Sequence, residues 1–501
     1  MPVNLASPGI VVREVDLTIG RVDSATDKTA AIVAPFEKGP VNLPIVIENE
    51  QDLIDNFGKP NNTDNQVEYW MVAASYLAYG GQMNVVRASG SNLNNATDDA
   101  GTLVINSVDD YINKGYDENT LAGTVVAARN PGSWANGLKV AIIDSFADQV
   151  LSVGNTAGMS VGFGVTQTAS GTVPGSGSTS SLDGFFKGII TDIGTGTISV
   201  KFLSHTPSGG TETEIDYSAS GVYRFNSSSN ITAVNNSAVG VATVAVNSVS
   251  DWFDSQTITT TNGAPISWNQ IAERPGTSAY AAARNSRFDE VHVVVIDDDG
   301  DITGNAGTIL EKNLNLSKAK DAEFSAGSTS YWRKFLLNSS NNIFGLSGPT
   351  NPVTTAFSSG FTKVSDEAWD QNTQNIKFAA NGNIGYSLSG GENYDGTTDI
   401  TAGGALTASL GDLSSGYGLF ENVEEFDIDF LIMGSGAKTR NETQALANKL
   451  ISVAEERKDA IAFVSPYRQA FLNDSVSGSV TVNNIDTVTN NVVSFFAPIT
   501  S

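Results

Sequence analysis

Apolar and polar positions follow their clearest order between Asp427 and Pro466. Ile428 to Met433 is an apolar run broken only by Asp429, and Gly434, Ser435 and Gly436 supply a turn behind it. From Thr439 to Lys458 the apolar residues Leu446, Leu450, Val453 and Ala454 recur at helical spacing. That leaves Arg440, Glu442, Lys449, Glu456 and Arg457 for the wet face. Ile461 to Val464 is apolar again, and Ser465-Pro466 ends it. The pattern predicts a βαβ unit, whose parallel strands need cover on both faces. Two strands do not make such a sheet, so the others must come from elsewhere in the chain.

The first ninety residues offer them. Ala30 to Val33 predicts a buried strand, Pro44 to Ile47 a short one, and Gln51 to Phe57 a helix closed by Gly58 with Pro60 beyond it. Val67, Met71, Ala74, Tyr76, Leu77 and Tyr79 predict an amphipathic helix ended by Gly80-Gly81, with Met83 to Arg87 following as a strand. Ahead of these, residues 1–23 read as an extended arm: Ser7-Pro8-Gly9 is a turn, and Ile10, Val11, Val12, Arg13, Glu14 and Val15 are β-prone. An apolar strand beside a terminus is a sticky edge, which suits donation to another sheet; folding back on its own domain is the alternative.

The expected organisation is α/β and α+β, multidomain. A split α/β sandwich domain, residues 24–90 plus 385–501, carries nested insertions. The first is an α+β middle domain, 91–145 plus 265–384, with strands at Leu103 to Ile105, Thr124 to Ala127, Lys139 to Ile143 and Val291 to Ile296, and a helical patch at Ser317 to Glu323. The innermost, 146–264, holds only eleven charged residues among abundant Gly, Ser, Thr, Asn and Val. Short alternating runs such as Ile198 to Phe202 and Val239 to Val246 predict a protruding all-β barrel or sandwich-like lobe. Residues 385–426 read as a loop-rich return with a weak helix near Phe420. Beyond Pro466 the periodic signal fades, and Phe495-Phe496 near the last residue leaves two aromatics with little chain to bury them.

A length of 501 residues suggests about three domains. There are no cysteines and only His205 and His292, so thiolate metal sites are excluded and His-dependent chemistry is confined to two positions. Acidic residues outnumber basic ones 54 to 28, a formal charge of -26 that repels nucleic acid and anionic membranes. Met1-Pro2-Val3 opens without a basic and apolar leader, and no apolar run approaches spanning length, which predicts a protein kept in a cytoplasm without membrane insertion.

Three motifs invite chemistry. Gly158-Met159-Ser160-Val161-Gly162 has the G-x-S-x-G spacing of a nucleophile elbow, but the strained strand-to-helix turn that exposes such a serine needs a helix, and none is predicted here. Asp297-Asp298-Asp299-Gly300-Asp301 resembles a calcium loop, yet Ile302 and Thr308 stand where an EF-hand needs glycine and a bidentate glutamate. A hairpin turn explains Asp299-Gly300 without metal. Gly434 to Thr439 lies where a phosphate loop would, but Ala437 precedes Lys438 and Met433 takes the place of the first glycine. His292 reads as a packed core histidine, and His205 as a turn residue with no evident partner. No catalytic, cofactor or metal site is expected.

Six motifs occur in a telling order: Ser7 to Glu14; Phe57-Gly58-Lys59-Pro60 before a Tyr/Trp-bearing helix; Ala128 to Trp134; Arg274-Pro275-Gly276-Thr277-Ser278; Leu388-Ser389-Gly390-Gly391; and the βαβ ending in Ser465-Pro466. In this order the chain resembles the contractile tail sheath proteins of myovirus-type bacteriophages, over nearly its whole length except 146–264. The resemblance implies a structural, non-enzymatic subunit without cofactors, a homo-oligomer of hexameric rings stacked helically around a tail tube protein. Baseplate and tail terminator proteins are the further partners it implies, and the virion, assembled in the host cytoplasm, its location. Contraction would drive the tube through the host envelope. The arm Ile10 to Val15 would join neighbours by strand exchange, and the family's C-terminal domain would be absent past Ser501. The alternative reading is a virion-surface binding module whose β lobe attaches to host glycans or receptors.

Overall fold

A computed structural model describes residues 28–61, 66–117, 121, 123–169, 183–211, 213–214, 224–235, 240–348, 378, 380–396, 406–435, 439–474, 480–497 and 499. The chain forms two compact units, residues 1–90 with 406–501, and residues 91–405.

The first unit is built on a five-stranded sheet. Its order is Ile45–Ile47, Gln82–Arg87, Thr29–Ala34, Phe430–Ile432 and Ile461–Phe463. All neighbours are parallel except the Ile45–Ile47 pair, and the register sets Ala30 beside both Met83 and Phe430, and Phe430 beside Ile461. Ala30 to Ala34 are fully buried in its centre, as a strand covered on both faces requires.

Helix Glu50–Phe57 starts where Asn49 Oδ1 accepts the Asp52 N–H at 2.9 Å. It ends at Gly58, whose φ of 84° lets its N–H reach the Ile54 carbonyl. Helix Gln66–Leu77 packs through Tyr69, Trp70, Ala73, Ala74 and Leu77. Met71 and Tyr79, expected on its apolar face, are exposed instead: the buried stripe of the helix runs through Tyr69, Trp70, Ala73 and Leu77, and Tyr79 lies in the turn beyond the helix end.

Helix Arg440–Arg457 carries a capping box in which Thr439 and Glu442 satisfy each other's backbone N–H groups, and Lys458 closes it in the left-handed conformation. Leu446, Ala447, Leu450 and Val453 form its buried stripe. Arg457 is not on the wet face: it is buried and holds the carbonyls of Phe420, Asn422 and Phe426. Arg440 also turns inward, to the carbonyl of Ser494. On the remaining stretch, Leu472–Asp474 pairs with Val480–Val482 and a helix spans Ile485–Phe496. Periodicity missed this helix; its start is capped by Asn484, and Phe495 is fully buried, so the terminal aromatics are not both stranded.

The second unit contains two large antiparallel sheets. One runs Thr308–Ser317, Glu290–Asp297, Leu138–Asp144, Asn383–Ser387. The other is an eight-stranded sheet within 146–264, ordered Gly240–Val244, Ile231–Val234, Gly164–Thr168, Phe185–Gly194, Thr197–Thr206, Gln149–Ser152, Ser248–Asp251, with Thr213–Glu214 on the Thr197 strand. Phe186, Phe202 and Phe225 meet edge-to-face at 5.4–6.4 Å in its core. Among the described residues its path has two ends and does not close as a barrel.

Two local expectations fail here. Ser317 to Glu323 is no helix; Ser317 ends one strand and Glu323 begins another. Leu103 to Ile105 is no strand. Side chains hold it instead: Asn94 Oδ1 accepts the Leu103 N–H, and Asn95 Oδ1 the Ile105 N–H, each at 2.7 Å.

Candidate assembly surfaces

Ile10, Val11, Val12, Arg13, Glu14 and Val15, the residues expected to exchange between subunits, lie outside the described residues. Two features of the described residues stand out, an exposed apolar shelf on the first unit and a buried ionic joint in the second.

The shelf follows from register. Phe430 and Ile432 project to the side of the sheet that packs on helix Gln66–Leu77, and their neighbours Ile461 and Phe463 share that face. The helix covers the sheet's centre but stops short of the last strand. Ile461 is therefore 60% exposed and Phe463 53% exposed, although their apolar run predicts full burial. Phe463 stacks edge-on with Phe430 at 5.5 Å, and Phe430 with Tyr76 at 6.3 Å. Lys28 Nζ sits 5.5 Å from the Phe430 centroid, and the Lys28 carbonyl accepts from the Tyr76 hydroxyl. The opposite face of the strand pair carries Leu431, which is fully buried.

The joint ties the 146–264 sheet to the rest of its unit. Asp148 Oδ1 accepts from Lys201 Nζ at 3.0 Å and lies 3.5 Å from an Arg274 nitrogen; Asp148 Oδ2 accepts the Phe202 N–H at 2.7 Å. Arg274 also pairs with Asp251. Lys201 Nζ stands 4.2 Å from the Phe288 centroid, and Phe146 meets Trp252 at 5.8 Å. Buried charges this close must be paired and hydrogen-bonded to persist, and these are.

The positions singled out for chemistry are occupied by structure. Ser160 is exposed in a turn, and Gly164–Thr168 after it is a strand, so no elbow forms. Asp297 closes the predicted hairpin: its carboxylate accepts from the N–H groups of Gly300 and Thr303 at 3.1 and 2.7 Å and from the Thr303 hydroxyl at 2.7 Å. Asp298 accepts from the N–H of Thr261. Asp299 is held above the usual carboxylate range by burial and then by Asp301 and Asp297. Gly436 to Lys438 lie outside the described residues.

His292 is fully buried; Nδ1 accepts the Asn315 N–H at 3.0 Å and Nε2 donates to the Glu273 carbonyl at 2.8 Å. Burial pushes its pKa below the usual value, so it is neutral near pH 7. His205 is not a turn residue: it lies in the Thr197–Thr206 strand, buried, with Nε2 2.6 Å from the Asp183 carbonyl. Among the described residues no group of three His, Cys, Asp or Glu is placed to hold a metal ion, and no helix is long and apolar enough to cross a membrane.

No family model matches the chain. Two curated proteins do: the tail sheath protein of Enterobacteria phage T4, 38% identical over 84 residues, and that of Vibrio phage KVP40, 37% identical over 83 residues. Each match covers 17% of this chain and 12% of the relative. Among solved structures, a sheath tail protein from Listeria innocua matches 45% of this chain and 33% of its own at 12% identity with a TM-score of 0.16. One from Desulfitobacterium hafniense matches 50% and 38% at 11% identity with a TM-score of 0.15. Superpositions this loose carry no argument about the fold. The two sequence relatives show a likeness to phage tail sheath proteins over 83–84 residues of this chain.

Proposed function

We propose that this chain, whose curated relatives are phage tail sheath proteins, is the structural subunit of a contractile tail sheath. The observation that carries the reading is the identity of 37–38% to tail sheath proteins of two different phages. In this reading subunits stack as six-fold rings around a tail tube protein, between baseplate and tail terminator proteins, and contract to drive the tube through the host envelope. The work is mechanical and uses no cofactor. The arm Ile10 to Val15 is donated to a neighbour's sheet, a contact that propagates helically because donor and acceptor surfaces differ. Units with dense cores suit such a role, since they reorient as bodies while a strand tether keeps them attached.

Electron microscopy of the full-length gene product with its tube protein tests this. Striated tubes that shorten and widen on triggering are expected, as is their loss when Met1 to Asp23 is deleted. Absence of tubes under any condition would sink the sheath reading, and normal tubes from the deletion would sink the arm's part in it.

A further inference from the structure

Asparagine followed by glycine is a labile pair in any polypeptide. The glycine nitrogen attacks the side-chain carbonyl to close a succinimide ring, and no Cβ on the following residue stands in its way. The chain holds three such pairs, Asn136-Gly137, Asn262-Gly263 and Asn381-Gly382. In sequence they are equivalent; the fold treats them differently.

Two of the pairs are held. Asn136 donates from Nδ2 to the Gly391 carbonyl at 3.0 Å, and its Oδ1 accepts the Gly391 N–H at 2.7 Å, so both ends of the amide are committed. At Asn381 the restraint falls on the nucleophile. The Gly382 N–H donates to Asp144 Oδ1 at 2.8 Å, a charge-assisted bond that opposes loss of the proton the attack must remove. The Asn381 N–H donates to Oδ2 of the same carboxylate at 2.9 Å, so the backbone cannot turn toward ring geometry without breaking both bonds.

Asn262 is in the opposite condition. It is exposed in the loop between the paired strands Thr257–Ile258 and Ile266–Ser267. Among the described residues neither its side-chain amide nor the Gly263 N–H has a hydrogen-bond partner. Its surroundings also require the glycine. A Cβ on Gly263 would lie 2.8 Å from Thr260 Oγ1 and 3.2 Å from the Ala306 carbonyl oxygen. Thr261, just before the pair, is tied down, with its N–H and hydroxyl both donated to Asp298.

We propose that Asn262 is a site of spontaneous covalent modification. The Gly263 nitrogen bonds to Cγ of Asn262 as the Cγ–Nδ2 bond breaks, and ammonia leaves with the proton that the Gly263 nitrogen gives up. Water then opens the succinimide at either carbonyl, giving aspartate or isoaspartate with no change in oxidation state. Each product adds one negative charge to a chain of formal charge -26 and sets it beside Thr261, which already serves the Asp298 carboxylate. Isoaspartate also lengthens the main chain by the Cβ carbon, which the close approach of Gly263 to Ala306 does not admit, so the loop loses its seat there. The reaction needs no enzyme or partner, and it stands whether or not the chain builds a sheath.

Incubation of the full folded chain at mildly alkaline pH tests this. The digested protein is probed with isoaspartate methyltransferase and labelled S-adenosylmethionine, and mass spectrometry places the modified residue. Label should accumulate on the peptide carrying Asn262, in step with a more acidic species on ion exchange. Asn136 and Asn381 should react at least about tenfold more slowly, the factor expected when hydrogen bonds must break before ring closure. In guanidinium chloride the three pairs should approach one rate. Asn262→Gln, whose longer side chain closes a ring far more slowly, should remove most of the label and leave the other two sites unchanged. Equal rates at the three pairs in the folded chain would overturn the proposal. So would label at Asn136 or Asn381 ahead of Asn262, or none at Asn262 where the unfolded chain reacts.

Discussion

The guanidinium of Arg457 donates to the carbonyl oxygen of Phe420 at 2.8 Å, from the last turn of one helix to the end of another. The same group holds the carbonyls of Asn422 and Phe426 and pairs with Asp459, while Phe420 and Phe426 pack edge-on at 5.5 Å. One planar fork thus organises the turn that delivers the chain into the Phe430–Ile432 strand.

Arg457→Ala should destabilise the protein by about 3 kcal/mol, since it strands several buried carbonyls that a charged donor satisfied. Arg457→Lys should recover less than half of this, because an ammonium on a flexible stem does not span a three-carbonyl fork. Urea unfolding followed by tryptophan fluorescence measures both. Equal stability of Ala and Lys variants would show that the fork geometry is irrelevant.

Helix Leu410–Gly418 approaches the central strand so closely that a Cβ on Gly416 would lie 2.5 Å from Val33 Cγ1. Gly416→Ala should therefore cost roughly 1–3 kcal/mol by overpacking, even though alanine is the better helix former. Val33→Ala alone opens a small cavity. Combined, the two substitutions should cost less than their sum, a coupling that a double-mutant cycle reads directly. Additive losses would mean that the helix moves away from the strand to admit the methyl group.

The lobe's ionic joint predicts an asymmetric response. Lys201→Met leaves Asp148 buried beside a weakly engaged Arg274, and should cost about 3–5 kcal/mol, as expected when one member of a buried pair is removed. Adding Asp148→Asn should restore part of the loss, because it removes the stranded charge while keeping an acceptor for the Phe202 N–H. Calorimetry of the single and double variants decides this; a double variant less stable than Lys201→Met would place the main role of Asp148 in contacts other than Lys201.

Legibility in the sequence followed how local the controlling interaction is. The Thr439 and Glu442 capping box, the Gly58 stop and the apolar runs at Ala30 and Leu431 are set within a few residues, and their elements stand where the pattern puts them. Arg457 reads as a wet-face residue because its charge is visible in the sequence and the distant carbonyls that it satisfies are not. Leu103 to Ile105 looks like a strand, yet the N–H groups of Leu103 and Ile105 are taken by Asn side chains about ten residues back. The Ile485–Phe496 helix is rich in β-branched residues and asparagine, poor helix formers that hide a helix fixed at its ends by Asn484 and by burial of Phe495. The shelf was hidden for another reason: an apolar run reads as buried, and whether a neighbouring helix extends far enough to cover it is a property of the assembled sheet.

His292 makes a prediction whose sign is fixed by its surroundings. Its two ring nitrogens are committed to Asn315 and Glu273, and burial holds its pKa below the ordinary value of 6.5. Between the folded and unfolded pKa values the unfolded chain binds the proton and the folded one does not. Stability from this residue is thus fully present above about pH 6.5, and falls as pH drops toward the folded value. Below that value no further loss accrues. The slope in this window is at most about 1.4 kcal/mol per pH unit. His292→Asn, which keeps an acceptor but cannot titrate, should be less stable than the parent at pH 7.5, and the gap should narrow by pH 5.5. Urea midpoints at the two pH values measure it, and carboxylates shared by both proteins cancel in the difference. A gap that widens on acidification would mean that the folded state stabilises the imidazolium, and that the Asn315 N–H does not control its protonation.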